Sequence, residues 1–133
     1  MFTFVVGFVT FLQKTMANKI IFNSRDELLN IDLSKVVYFI ADGNYTRVVL
    51  CNKVVCTVGF NLAKMELTLA EYIKTHAGLA FVRVGKSHII NLDRVLQVNL
   101  AKTRLVLTGD NDNVFTIEVS RDAVKRLKEM MMR

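Results

Sequence analysis

The residues that most directly suggest chemistry are a glycine, a lysine and a serine at positions 85–87. Together with the five residues before them they read AFVRVGKS, which fits the loose form of a nucleotide phosphate loop. In such a loop the backbone amides and the lysine hold the phosphates of a bound nucleotide. The first question is therefore whether Lys86 binds a nucleotide.

The residues around Lys86 argue against a nucleotide site. The four variable positions are Phe81-Val-Arg-Val84, and β-branched and aromatic residues favour an extended strand over a flexible loop. The segment after Ser87, residues 88–94, allows at most a short helical turn, whereas a phosphate loop continues into a helix. Strands and helices also do not alternate along the chain as a parallel nucleotide-binding sheet requires. Lys86 is therefore predicted to lie at the tip of a strand.

Catalytic and metal-binding patterns find little support elsewhere. Ser87 and His88 are adjacent, which is poor placement for a nucleophile and its base. Cys51 and Cys56 lie in an apolar stretch without metal-ligand spacing, and we interpret them as small buried side chains in a reducing compartment. His76 and His88 are too isolated to suggest a zinc site. We therefore expect no enzyme activity, no metal, no cofactor and no small-molecule substrate.

Three polar turns are unusual for a solvated β domain. Asp42-Gly-Asn-Tyr45 offers an amide and an aromatic ring, and Gly85-Lys-Ser-His88 offers donors at the end of a strand. Ser120-Arg121 places a cation at a helix N-terminus, which costs roughly a few tenths of a kcal/mol. A bound anion would offset that cost, because the first-turn amides, the Ser120 hydroxyl and Arg121 would form a phosphate site. The alternative is that Arg121 simply points into water. The net charge of +6 favours an anionic partner.

Short strands and two helices are predicted to position these turns. A helix from Asn61 to about Thr75 is indicated by the helical spacing of its apolar residues, with Asn61 as N-cap and Gly78 well placed to end it. A second helix follows Ser120. Strands are predicted at residues 19–22, 27–31, 36–40, 45–50, 54–58, 81–84, 95–98, 103–107 and 114–117. The fold class is therefore mainly β with two or three short helices.

The chain has 133 residues, 52% of them hydrophobic, which predicts one domain with a substantial core. The first fifteen residues, MFTFVVGFVTFLQKT, form too short an apolar run to cross a bilayer and lack the features of a signal peptide. We expect no stable membrane span and a cytoplasmic protein. The leading interpretation is that translation starts at Met16 and that the domain occupies residues 19–133. The alternatives for residues 1–15 are a membrane-associating segment or an apolar arm for a partner.

At the three turns the sequence resembles the LytTR family, the DNA-binding domain of bacterial transcription regulators. Tyr38 with Ala41-Asp-Gly-Asn-Tyr45 is similar to the first family signature. Phe81 to Leu92 resembles the Phe-x-Arg-x-His-x-Ser-x-x-Val-Asn core, and Val119-Ser-Arg121 with its Lys-rich helix resembles the end. Three motifs in the right order make the resemblance specific, and it covers the chain from about residue 19 to 130.

The resemblance implies an elongated, LytTR-like arrangement of three small antiparallel sheets that inserts loops into successive major grooves of double-stranded DNA. Lys86 and Arg121 would donate to guanine acceptors or phosphates, while Ser87 and Ser120 would position the backbone. Carried over by position, the residues that would line the DNA face are Asn44, Tyr45, Arg47, Lys86, Ser87, Ser120 and Arg121.

Two departures bear on loop geometry and sequence preference: Gly85 stands where the family usually has His, and Ile40 where it often has Glu. The family commonly has an N-terminal receiver domain, and none fits in this chain, so we expect a stand-alone transcriptional regulator. Family members commonly occupy repeated half-sites, which implies a homodimer on DNA. The rival interpretation is a β-rich protein-interaction module that regulates a partner without binding DNA, through residues 1–15 or Met130-Met-Met132. An unrecognised enzyme is the third alternative.

Overall fold

The computed structural model describes residues 18–76 and 78–133. The predicted extension, residues 1–15, and the predicted start at Met16 lie outside the described residues. The chain divides into two compact units, one ending at Ser34 and the other comprising Lys35–Arg133. Within the described ranges, no helix is both long enough and apolar enough to span a membrane.

The first unit contains a single antiparallel hairpin among its described residues. It pairs β1 (Lys19–Asn23) with β2 (Leu28–Asp32). The turn is closed by Ser24, whose backbone N–H and hydroxyl both donate to the carbonyl oxygen of Glu27, at 2.8 and 3.1 Å. Both strands agree with the sequence prediction to within one residue.

The second unit is built on a five-stranded antiparallel sheet. In spatial order its strands are β5 (Val55–Val58), β4 (Tyr45–Leu50), β3 (Val36–Asp42), β7 (His88–Asn91) and β6 (Phe81–Val84). The central strand β3 is apolar on both faces, as expected of a strand covered on both sides. Accordingly, Val36, Val37 and Phe39 are fully buried.

The first α-helix, α1 (Leu62–Thr75), packs on β3, β4 and β7. It begins as the sequence predicts, because the Asn61 side chain accepts a hydrogen bond from the Lys64 N–H at 2.9 Å. The helix ends at Thr75 with His76 as its C-cap, so Gly78, with a φ of +89°, lies beyond the cap and does not itself end the helix as predicted. The buried side chains of α1 are Leu62, Met65 and Leu69. The predicted helix is therefore confirmed.

The remaining elements form a three-stranded antiparallel sheet and a C-terminal helix. The sheet has the order β10 (Val114–Glu118), β9 (Arg104–Thr108), β8 (Val95–Asn99), and α2 (Arg121–Met131) follows it. The two sheets of this unit and α2 share one apolar core, composed of Val37, Cys51, Val84, Ile90, Leu105, Leu107, Ile117, Ala123 and Leu127. With the hairpin of the first unit, the expected three small antiparallel sheets are confirmed.

A hydrogen-bond network ties the β9–β10 turn to the end of β4. The carbonyl oxygen of Cys51 accepts from the Asp110 N–H at 2.9 Å and from Asn113 Nδ2 at 3.2 Å, and Cys51 Sγ donates to Asp110 Oδ2 at 3.1 Å. Burial, then the hydrogen bond to Asp110, raises the pKa of the Cys51 thiol. The interpretation of a small buried side chain holds for Cys51, whereas Cys56, on the edge strand β5, is only partly buried.

One strand was missed by the sequence analysis, which expected at most a helical turn over residues 88–94. The structure has strand β7 at His88–Asn91 and a 3-10 turn at Leu92–Arg94. Its four residues, His-Ile-Ile-Asn, are too few to show an alternating pattern, and three of them are buried. Asn91 both donates to the Val36 carbonyl oxygen at 2.9 Å and accepts from the Asp93 N–H at 3.1 Å. Residues 85–87 are consequently a hairpin turn.

Candidate nucleic-acid interface

Two of the three polar turns lie side by side at one end of the five-stranded sheet. They are neighbours because β3 and β7 pair in antiparallel register, with Ile40 opposite His88. The Ala41 N–H donates to the Ser87 carbonyl oxygen at 2.9 Å, which joins the β3–β4 hairpin to the β6–β7 turn. The structure therefore brings the predicted pair Asn44 and Tyr45 next to Lys86 and Ser87.

The β3–β4 hairpin exposes its predicted site residues. Asp42 pairs with Tyr45 across the turn, and Gly43 adopts the left-handed φ of +59° that the sequence Asp-Gly-Asn favours. Asn44 and Tyr45 are exposed, with 54% of Tyr45 accessible. Arg47 is exposed too, but its Nε donates to Asp42 Oδ2 at 3.0 Å, in a pair that is half exposed on both sides. Such an exposed pair contributes little stability, so Arg47 can leave Asp42 for another anion at little cost.

The β6–β7 turn is not a nucleotide loop. It connects strand to strand, since Phe81–Val84 is β6 and His88–Asn91 is β7. Gly85 has a φ of +64°, and a Cβ there would meet the Ala123 Cβ at 3.8 Å, an ordinary contact. The backbone conformation, not lack of space, is what favours glycine at this position. Lys86 and Ser87 are both exposed.

Arg83 has a role in this turn that the sequence analysis did not assign. Its Nη2 donates to the carbonyl oxygen of Lys86 at 2.7 Å, and its Nη1 donates to Glu66 Oε1 of α1 at 3.0 Å. The side chain is 28% exposed, and its Nε is buried without a hydrogen-bond partner among the described residues. The one signal in the sequence was a charged residue placed between two valines of a strand.

The third turn is the start of α2. Ser120 is its N-cap, and its hydroxyl oxygen accepts from the Ala123 N–H at 3.2 Å, so its proton remains available to a ligand. Arg121 is the first helical residue, is exposed and has no ion pair among the described residues. A Cβ on Gly85 would lie 3.8 Å from the Ala123 Cβ, which puts this helix start beside the β6–β7 turn. All three predicted turns therefore follow one another along one end of the unit.

A cleft of about 1000 Å³ is lined by residues of the β6–β7 turn and of α2. Lys86, Ser87 and Ser120 line it, while Arg121 does not. Arg126, which was not among the predicted site residues, lines the cleft as well. Because α2 begins next to the hairpin turn, a helical turn further on brings Arg126 to the same cleft.

The positive charge of this end comes from arginine and lysine rather than from histidine. His88 is half buried, with its ring centroid 5.9 Å from that of Tyr38. Burial lowers the pKa of His88 below its ordinary value of 6.5, so the imidazole is neutral at pH 7. Burial raises the pKa of Tyr38, partly offset by the charge of Arg47, so this phenol stays protonated.

The family model for the LytTr DNA-binding domain matches residues 26–132. The chain belongs to the LytTR family. Its family is thus the one that the three motifs predicted, and LytTR domains bind DNA. A solved LytTr DNA-binding domain from a methyl-accepting/DNA response regulator of Bacillus cereus has the same fold, with a TM-score of 0.59 and 19% identity. The match covers 86% of this chain and 96% of that domain.

Two curated relatives of this LytTR domain are the heme-containing CO-sensing transcriptional regulators RcoM 1 and RcoM 2 of Paraburkholderia xenovorans strain LB400. Each is 27% identical over 107 residues, which cover 80% of this chain. The chain spans 37% of the length of each regulator.

Proposed function

We propose that this LytTR domain binds double-stranded DNA sequence-specifically and thereby regulates transcription, without catalysis and in the cytoplasm. Its turns would enter the major groove. The observation that carries the proposal is the contiguity of the three turns, through the Ala41–Ser87 hydrogen bond and the approach of Gly85 to Ala123. The seven residues of the proposed DNA face are all exposed: Asn44, Tyr45, Arg47, Lys86, Ser87, Ser120 and Arg121.

Each type of side chain has a distinct part in this proposal. Arg121 and Lys86 donate to the N7 and O6 acceptors of guanine or to phosphates, because both are exposed and free of ion pairs among the described residues. Asn44 supplies an amide that suits a base edge. The hydroxyls of Ser87 and Ser120 donate to phosphates and set the position of the domain on the duplex. Binding to repeated half-sites as a homodimer is part of the same proposal.

A second candidate function is a protein-interaction module. It is favoured by the exposure of three methionines at the end of the chain: Met130 is 36%, Met131 45% and Met132 76% accessible. Flexible, polarizable methionine side chains suit adaptable contact surfaces. The two candidates differ in whether the chain binds duplex DNA at all.

Titration of the chain with random duplex at two salt concentrations separates these candidates. Lys86, Arg121 and Arg126 are exposed cations that hold no ion pair among the described residues. If each neutralises one phosphate, log K should fall with log salt with a slope of about −3. Fluorescence anisotropy of a labelled duplex measures both affinities. Absence of binding even at low salt would favour the interaction module. If the chain does bind DNA, selection from a random duplex pool identifies the preferred site.

The role of Ser120 is tested by replacing it with aspartate. Because aspartate is as good an N-cap as serine and favours the helix dipole, the free energy of unfolding should stay within about 0.5 kcal/mol. A carboxylate facing a phosphate is repelled, so we expect duplex affinity to fall roughly tenfold. Urea unfolding and anisotropy measure the two quantities.

The matched control for this change is Asn52→Asp. Asn52 lies in the β4–β5 turn, at the opposite end of the sheet from the proposed face, and its Oδ1 accepts from the Val54 N–H at 3.0 Å. Aspartate keeps that acceptor and adds the same charge. Equal losses of affinity in the two variants would contradict a phosphate contact at Ser120.

A further inference from the structure

One arginine, Arg83, joins α1 to the β6–β7 turn. Strand β6 alternates, so that Val82 and Val84 face the core shared with α2, while Arg83 faces the side of the sheet where α1 packs. An ionised side chain among apolar neighbours is retained only when it is paired. Arg83 meets this condition with two acceptors that belong to different elements.

The two acceptors suit a guanidinium better than an ammonium. Glu66 Oε1 lies 3.0 Å from Nη1, and the Lys86 carbonyl oxygen lies 2.7 Å from Nη2. The planar fork presents a separate nitrogen to each acceptor in a fixed geometry, whereas a lysine would have to reach both from a single ammonium nitrogen on a flexible stem. Both bonds have an ionised donor, which makes them stronger than neutral hydrogen bonds.

The carbonyl that Arg83 holds is part of the turn itself. Lys86 stands at the middle of residues 85–87. Gly85, before it, has a φ of +64° and is a residue type whose backbone reaches both positive and negative φ. A glycine at this point lets the turn adopt many conformations. The 2.7 Å bond from Arg83 to the Lys86 carbonyl oxygen restricts them from inside the hairpin.

The conformation of the Arg83 side chain leaves one of its N–H groups without a hydrogen bond in the part of the chain that the structure describes. The Nε of Arg83 is buried and has no hydrogen-bond partner among the described residues. A buried donor left unsatisfied is unfavourable. The conformation that reaches Glu66 and the turn is therefore adopted at the expense of a third hydrogen bond.

We propose that Arg83 is a positioning residue that fixes the β6–β7 turn against Glu66 of α1 and so presents Lys86 and Ser87 to DNA. The proposal rests on the proposed function for its last step, the contact with DNA. The restraint on the turn is a property of the free protein and is tested without DNA.

Backbone order in the free protein is the first measurement. Arg83→Met keeps the apolar stem and removes both hydrogen bonds. We expect the NMR order parameters of the Lys86 and Ser87 amides to fall from about 0.85, typical of rigid backbone, towards about 0.6. The amides of Asn44 and Tyr45, in the neighbouring turn, serve as the internal reference and should not change. Unchanged order at Lys86 and Ser87 would overturn the proposal, whether or not the protein binds DNA.

Affinity for the preferred duplex is the second measurement. Arg83→Met should raise Kd roughly tenfold because, of its two lost hydrogen bonds, the one from the charged guanidinium to the Lys86 carbonyl oxygen holds the turn. Arg83→Lys keeps the charge and loses the fork, so its Kd should lie between that of the parent chain and that of the methionine variant. If the Arg83→Lys variant binds the duplex like the parent chain, the charge of Arg83 alone accounts for its effect on affinity. The positioning role is then wrong.

The direction in which Kd changes when Glu66 is replaced distinguishes the positioning role from a simple change of charge. Removing an acidic side chain from a DNA-binding protein ordinarily strengthens binding, because it lessens repulsion of the phosphates. Glu66→Ala should instead raise Kd about twofold, since it frees one end of the Arg83 fork.

Glu71→Ala is the matched control. Glu71 lies on the same helix, and its one ion pair within the described residues is the exposed pair with Lys74 at 2.8 Å. Its replacement should leave Kd unchanged or lower it. Tighter binding by both glutamate variants would contradict the link from α1 to the turn, and thermal unfolding checks that every variant is folded.

Discussion

Replacing Arg121 with alanine is expected to weaken binding to the preferred duplex by about 1–3 kcal/mol, and Lys86→Ala by a similar amount. Arg121 is exposed at the first position of α2, and no ion pair within the described residues competes for its guanidinium. Lys86 projects from the hairpin turn beside it. Each side chain can therefore give its full hydrogen-bonding capacity to a guanine edge or a phosphate.

Neither substitution should harm the fold. Alanine is a good helix former, and removing a cation from a helix N-terminus is slightly favourable to the helix dipole. Lys74→Ala is the control for loss of one positive charge, because Lys74 is in the last turn of α1 and pairs with Glu71. Anisotropy titrations at one fixed salt concentration measure the three affinities. Folded Arg121→Ala and Lys86→Ala proteins that bind like the parent chain would reject these two positions as DNA contacts.

Gly109→Ala is expected to destabilise the second unit by roughly 3 kcal/mol. A Cβ at this position would lie 2.4 Å from the Cys51 carbonyl oxygen and 2.7 Å from the Phe115 ring. The first of these is a backbone atom that also accepts hydrogen bonds from Asp110 and Asn113. It cannot move away without breaking the network that ties the β9–β10 turn to β4.

Gly59→Ala is the matched control, because a Cβ there meets nothing within 4 Å and the φ of Gly59 is not in the left-handed region. That substitution should be neutral or stabilise slightly, since alanine reduces the conformational freedom of the unfolded chain. Urea unfolding with comparison of midpoints at constant slope measures both variants. Equal stability of the two alanine variants would show that the turn at Gly109 relaxes freely.

Local patterns in the sequence were sufficient for most of the elements. Asn61 and Ser120 were predicted as N-caps and cap α1 and α2, because a cap depends only on residues three positions apart. The Asp42-Gly-Asn-Tyr45 turn is likewise set by its own residues. The exception is β7, whose four residues are extended because β3 and β6 pair with them on either side. That pairing is not encoded in the spacing of the segment itself.

The candidate site was predictable only in its parts. The seven residues were predicted from the polar turns and from the family resemblance. All seven are exposed, which a binding face requires. The proximity of the first two turns depends on β3 lying next to β7, a long-range pairing that a missed strand could not reveal. Arg83 was overlooked for the same reason. One partner, Glu66, is 17 residues away, and the other is the carbonyl oxygen of Lys86 in the following turn. Nothing in the strand pattern identifies either of them.

The ion pair between Arg47 and Asp42 gives this face an anion that cannot diffuse away. The 3.0 Å contact means that Asp42 is a tethered counterion, held beside Arg47 by the same hairpin. When a phosphate replaces it, the cation released from that phosphate is offset by the uncompensated charge left on Asp42, so Arg47 adds little to the salt dependence of binding. Random polyanions therefore gain less from Arg47 than its charge suggests. A duplex gains from it only when a phosphate or a base meets the guanidinium better than Asp42 does.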